Sequence, residues 1–177
     1  MTLADVNGFD KERFVEALGW VFEHSPWVAE RAWRQRPFAT LDHLHTAMVA
    51  EVAAATVQEQ LALLQAHPDL GARVGQTMSD ASMREQAGAG LDTLTPEELD
   101  RLRRLGSAYR NRFGIPFLFA VKGSAKHDVV KALEARLCAS RDQELAEALR
   151  QVHRIAKFRL DALLGGTGAL KPCQPVT

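Results

Sequence analysis

His67 and Pro68 stand in the run His67-Pro68-Asp69-Leu70-Gly71, at the point where a helical pattern of apolar residues stops. Proline cannot continue a helix, because its ring clashes with the preceding turn and it has no N–H to donate. It also pushes the residue before it out of the α region. His67 is therefore presented from a fixed backbone break. Imidazole is the side chain whose ordinary pKa lies nearest neutrality, which suits it to general acid–base work. A histidine at a helix end can equally interact with the last carbonyls and the helix dipole and do nothing more. Residue type and place leave both open.

Three further groups bear on that choice. Leu145, Leu149, Val152, Ala156 and Leu163 form an apolar stripe on the last helical segment, and the missing member of the stripe is Arg159. A guanidinium on an inward face is costly unless it is paired, meets an anion or snorkels out to water. The anion would be an internal carboxylate or a ligand's, which arginine can grip bidentately. The second group is Ser82-Met83-Arg84-Glu85-Gln86, followed by Ala87-Gly88-Ala89-Gly90-Leu91, whose glycines let backbone approach a ligand closely. Ser82 with Glu85 is also the pattern of a helix-capping box. The third is the extended apolar segment Phe117-Leu118-Phe119-Ala120-Val121, entered through Phe113-Gly114-Ile115-Pro116. With no sheet to join, its amides and carbonyls must meet a neighbouring segment, water or a ligand. A linker plugging the core is the plainer alternative.

The remaining candidates read as structural. His43 and His45 are two apart, so they diverge around a helix and do not suggest a metal site. His24 and His127 are expected at the surface, and His153, beside the stripe, as a satisfied interior residue. Cys138 is expected to be a buried, inert thiol. Trp20, Trp27 and Trp33 are expected in the core.

The elements that must position these residues are helical nearly throughout. Asp10 caps a helix carrying Phe14, Ala17, Leu18 and Val21; a second runs from Pro26 through Trp33 and is closed by Pro37. A third spans about Thr40 or Leu41 to Ala55. Thr56 with Glu59 is a capping box opening a fourth that leads up to His67. Gly71 to Thr95 reads as a long loop with one helical piece near Ser82 to Ala87. Thr95-Pro96-Glu97-Glu98 opens the next helix, which stops before Gly114 and Pro116. A helix over about His127 to Cys138 follows, and Ser140 with Gln143 opens the last, ending near Leu164 at Gly165. The expected architecture is all-α: a single-domain multi-helix bundle over residues 1–164, with a disordered tail at 165–177.

Composition narrows the function classes. At 177 residues the chain can bury a substantial core as one domain. Twenty-two Lys and Arg balance 22 Asp and Glu, so there is no electrostatic footprint for nucleic acid or an anionic membrane surface. Apolar runs such as Ile115 to Val121 are too short to span a bilayer. The first residues lack the basic and apolar regions of a signal peptide, and the final Gln-Pro-Val-Thr carries no peroxisomal or ER signal. Cys138 and Cys173 give neither a disulfide framework nor metal spacing. A cytoplasmic protein with reduced thiols is expected.

Taken in order, these segments resemble the 2-oxo-4-hydroxy-4-carboxy-5-ureidoimidazoline (OHCU) decarboxylase family of the urate-to-allantoin pathway, from about Phe14 to Leu164. The carriers are Ser25-Pro26-Trp27, Arg36-Pro37-Phe38, His67 to Gly71, Ser82-x-x-Glu85-Gln86 with Gly90-Leu91, Phe113 to Phe117, and Arg154-Ile155-Ala156-Lys157-Phe158-Arg159-Leu160. The resemblance implies an all-helical fold working without cofactor or metal on a small-molecule substrate, usually as a homodimer. It implies His67 as the catalytic residue, assisted by Glu85. Pro68, Ser82, Met83, Arg84, Glu85, Gln86 and Phe117, Leu118, Phe119, Ala120, Val121 would line the site, and Arg159 would bind the anionic substrate. Two other functions remain compatible with the residues. One is decarboxylation of another small carboxylated heterocycle; the other is a non-catalytic all-α ligand-binding module in which His67 merely caps a helix.

Overall fold

The computed structural model describes residues 1–68, 70 and 93–165. Among them are eight α-helices and no strand: α1 (Leu3–Gly8), α2 (Lys11–Leu18), α3 (Trp27–Ala32), α4 (Leu41–Ala54), α5 (Val57–Gln65), α6 (Pro96–Phe113), α7 (Lys126–Arg136) and α8 (Arg141–Leu164). A 3₁₀ turn, Trp33–Gln35, continues α3.

Short polar side chains start most of these helices by accepting the amide three residues on. Asp10 accepts from Arg13 at 2.8 Å, Thr40 from His43 at 3.0 Å, Thr56 from Glu59 at 3.2 Å, Thr95 from Glu98 at 3.2 Å and Ser140 from Gln143 at 3.3 Å. Each such cap contributes about 1 kcal/mol. The ends are equally local. Gly114 closes α6 in the left-handed region, with φ 73°, where a Cβ would be strained. Helix α5 stops at Gln65, short of His67, which is left in the turn before Pro68 with its amide on the Leu64 carbonyl at 3.3 Å.

The sequence pattern did not reveal α1. It is six residues long with one buried side chain, Val6, too short to show a period, although Thr2 and Asp5 form a reciprocal capping box. Two other expectations are corrected. The helix expected to reach Cys138 ends at Arg136, so Cys138 lies in the turn before Ser140 and is exposed. Trp20 lies just past the end of α2, 39% exposed, with its Nε1 donating to the Ala17 carbonyl. Trp27 and Trp33 are half-buried at the edge of the core, each stacked by an arginine, Arg31 and Arg36.

Helix α8 is the spine. It packs against α4 and α5, while α3 packs on α2 and α4, and α6 pairs with α7. Phe14, Leu18, Phe22, Leu44, Met48, Leu63, Leu64, Leu102, Leu133 and Leu160 fill the space between them at full burial. Each such side chain contributes roughly 2 kcal/mol by leaving water. The inward face of α8 carries Val152, Ala156 and Leu160, and with them the polar Glu144, Gln151 and Arg159. Leu145, Leu149 and Leu163, expected on the centre of that face, flank it half-buried. Among the described residues no single helix is long and apolar enough to cross a membrane.

Candidate active site

His67 is 4% exposed. Its Nδ1 lies 2.8 Å from the carbonyl oxygen of Leu63, one helical turn back. A carbonyl only accepts, so in the neutral ring Nδ1 carries the hydrogen and Nε2 carries the lone pair. That Nε2 is buried and meets no hydrogen-bond partner among the described residues. Burial disfavours the imidazolium and pulls the pKa from 6.5 down to about 4; the Leu63 carbonyl and Glu23 oppose this, while Arg159 and His24 add to it. The result is a neutral histidine with a fixed tautomer and a bare basic atom.

The charges that act on His67 are those of Arg159, Glu23 and His24. Arg159, 3% exposed on α8, does lie on the inward face. Of the two anions its position allowed, the structure supplies the internal one: its Nη2 is 2.8 Å from Oε2 of Glu23, whose side chain is 1% exposed. Arg159 Nη1 also approaches the carbonyls of Trp20 and Val21 at 3.4 and 3.3 Å, and its Cζ lies 6.0 Å from the centre of the Trp20 ring.

All of these contacts come from the turn joining α2 to α3, which is itself built for the purpose. A Cβ at Gly19 would sit 2.6 Å from the Val15 carbonyl oxygen, so the chain turns inward there only with glycine. Val21 and Ser25 donate back to Leu18 and Phe22 at 3.0 and 2.9 Å. His24 then takes φ 49°, a left-handed conformation that non-glycine residues rarely adopt. Its ring stays exposed, as expected from sequence, with Nε2 4.0 Å from Oε1 of Glu23. Glu23 is not legible in the sequence: it sits in a turn without periodicity, and nothing local distinguishes it from a surface acid.

The Phe117–Val121 segment is a buried strap; only Phe119 is half-exposed. Two of its backbone groups meet neighbouring side chains. The Ala120 amide donates to Gln151 Oε1 at 2.9 Å, and the Leu118 carbonyl accepts from Arg136 Nη1 at 2.6 Å. Arg136 in turn binds the buried Glu144 through Nε, at 2.9 and 3.2 Å, and through Nη2, and Glu144 also accepts from the Tyr109 hydroxyl. Burial and that hydrogen bond push the Tyr109 pKa up. Gln65 Nε2 donates to the Gly114 carbonyl at 2.9 Å, tying the end of α5, two residues before His67, to the entry of the strap.

Of the sequence-predicted residues, the structure thus brings His67 and Arg159 together electrostatically. It leaves Pro68 half-buried, next to His67 in the chain, and anchors the strap on α8 at Gln151, eight residues and about 12 Å along the helix from Arg159. Ser82, Met83, Arg84, Glu85 and Gln86 lie outside the described residues, as do Asp69, Gly71 and 166–177. His153, expected to be satisfied, is half-buried with an Nε2 that meets no partner among the described residues; burial, then His45, lowers its pKa to about 4. No group of three or more metal-binding side chains occurs among the described residues.

A buried neutral imidazole whose lone pair meets no partner among the described residues, in the field of a buried cation, can take a proton from an acidic substrate and give it back to a nearby carbon. Comparisons with known proteins show the family. The OHCU decarboxylase family pattern matches residues 7–161. The chain is 47% identical over 163 residues to the 2-oxo-4-hydroxy-4-carboxy-5-ureidoimidazoline decarboxylase of Halalkalicoccus jeotgali, covering 92% of each chain. It is 44% identical over 167 residues to the uric acid degradation bifunctional protein of Bacillus subtilis, matching 94% of this chain and 33% of that longer one. A crystal structure of (S)-allantoin synthase superposes with a TM-score of 0.76 at 34% identity, over 93% of this chain and 54% of the other. The chain belongs to the OHCU decarboxylase family.

Proposed function

We infer that the His67 site decarboxylates OHCU to (S)-allantoin, as a carboxy-lyase of urate degradation. The observation that carries this is the buried Nε2 of His67, without a hydrogen-bond partner among the described residues and in the field of the Arg159–Glu23 pair, in a chain of this family.

The carbon that loses CO2 carries a hydroxyl and adjoins a ring C=N. When the C–C bond to the carboxylate breaks, its electron pair forms a C=C bond to the neighbouring ureido-bearing carbon, and the C=N pair moves onto nitrogen, which takes a proton. The enol then gives up its hydroxyl proton as C=O forms, and the ureido-bearing carbon receives one. With the substrate entering as carboxylate, one proton is taken from solvent overall. The ring C=N is the electron sink, so the chemistry asks for no cofactor. His67 Nε2 takes the hydroxyl proton and Glu85 shares the transfer to carbon, while Arg159 meets the carboxylate. Pro68, the Ser82–Gln86 segment and the strap wall the pocket, and an enclosed chiral wall delivers the proton to one face. The Ala120 amide, held by Gln151, contributes through the position of the strap rather than as a donor to substrate. We propose that the protein works in the cytoplasm as a homodimer.

The test is time-resolved circular dichroism of freshly generated OHCU with and without the protein. Rapid appearance of optically active (S)-allantoin is the expected result; decay at the background rate to racemic product would remove the assignment.

A further inference from the structure

Glu23 has no role in the chemistry above, yet the fold invests in its position. It is buried at 2% exposure, in a turn that needs glycine at position 19 and a left-handed histidine at position 24, and it meets Arg159 at 2.8 Å. Decarboxylation sets a particular problem for an arginine that binds the leaving carboxylate. The carboxylate loses its charge in the transition state, so a bare guanidinium would stabilise the ground state more than the transition state and slow the step. A carboxylate already resting on the same guanidinium relieves that excess. It also fixes the plane of the fork, since arginine's donors form one rigid array.

We propose that Glu23 is a positioning residue that orients Arg159 and moderates its grip on the substrate carboxylate, so that substrate is held but CO2 can leave. This rests on the decarboxylase reading and adds a specific consequence to it. Removing the charge of Glu23 should tighten binding of the carboxylate while slowing turnover. A purely structural residue would lower the amount of active protein and leave affinity alone.

The experiment compares the wild-type protein with Glu23→Gln and Glu23→Asp, each checked for cooperative thermal unfolding. KM and kcat are measured on OHCU, and Kd is measured by calorimetry for hydantoin-5-acetate, a five-membered ring bearing a carboxylate, and for uncharged hydantoin. Glu23→Gln is expected to lower kcat at least about ten-fold, to lower KM, and to tighten hydantoin-5-acetate about ten-fold with hydantoin unchanged. Glu23→Asp keeps the charge but shortens the reach by one methylene. It should lower kcat without tightening the anion, and it carries the test if Glu23→Gln does not fold. Unchanged anion affinity and KM in Glu23→Gln, or wild-type kcat in both variants, would overturn the proposal. The hydantoin titrations need no turnover, so they decide the role of Glu23 even if the wild-type protein leaves OHCU decaying at its background rate, a result that would overturn the decarboxylase reading instead.

Discussion

Among the described residues two arginine–glutamate pairs are buried, both with one partner on α8, and they have different surroundings. Glu144 is gripped by Arg136 through two nitrogens and by the Tyr109 hydroxyl. Arg136 spends its remaining reach on the Leu118 carbonyl and is faced by the rings of Tyr109 and Phe117. Polar groups there end on one another and on aromatic walls. The Arg159–Glu23 pair instead acts on a histidine whose Nε2 meets no partner among the described residues, and it is held by a turn whose Trp20 and His24 reach the surface. A buried ion pair costs desolvation wherever it occurs, and replacing one by apolar residues often does no harm to stability. What separates a structural pair from a functional one is therefore what lies beside it. Around Arg136 the neighbours are closed; around Arg159 a basic atom is left waiting.

The comparison breaks most cleanly at His67. His67→Asn should lower the rate of stereoselective allantoin formation about 10³-fold with the protein still folded, as read by circular dichroism and thermal unfolding. Near-wild-type enantioselective activity would mean that the bare Nε2 has no part in the chemistry. Glu144→Ala, on the other side, should leave Arg136 buried without its anion and cost about 3 kcal/mol of stability in denaturant unfolding. Its kcat per folded molecule should change far less than that of His67→Asn; a fully active and fully stable variant would dissolve the contrast.

The pH dependence sharpens it further. His67 is depressed to about 4 in the folded state against 6.5 unfolded, so between those values the unfolded chain binds more protons and stability falls as pH falls. At pH 4.5 the loss relative to pH 7 amounts to about 2 kcal/mol from this residue, and His67→Asn should remove it. For the same reason kcat/KM should hold through pH 6 and fall only towards pH 4; an acid limb centred at 6.5 would show that His67 is not desolvated in solution. The smallest expected effect is Tyr109→Phe. It removes one hydrogen bond to an already paired carboxylate and should cost about 1 kcal/mol with activity unchanged. A large loss of activity would mean that the closed cluster transmits into the site through the strap.

Much of the fold was legible in the chain. The caps at Asp10, Thr40, Thr56, Thr95 and Ser140 announce their helices because a hydroxyl or carboxylate bonding an amide three residues away is a local event. Gly114 marks a stop for the same reason. Helix α1 escaped because one buried residue makes no period. Cys138 and Trp20 were misplaced because each lies a residue or two beyond a helix end, where the pattern no longer says which way a side chain faces.

The site divides along the same line. From the chain alone it follows that a histidine is presented at a helix break before Pro68, and that an arginine is carried inward on the last helix. Both follow from interactions spanning a few residues, proline's geometry and the helical repeat. Tertiary structure alone decided which acid Arg159 meets, how the turn at Gly19 and His24 delivers it, and that Nε2 of His67 ends buried with its lone pair bare. Those outcomes depend on segments far apart in the chain packing out water together. Desolvation, which turns a helix-end histidine into a neutral base, is a property of the assembled environment and not of any residue in it.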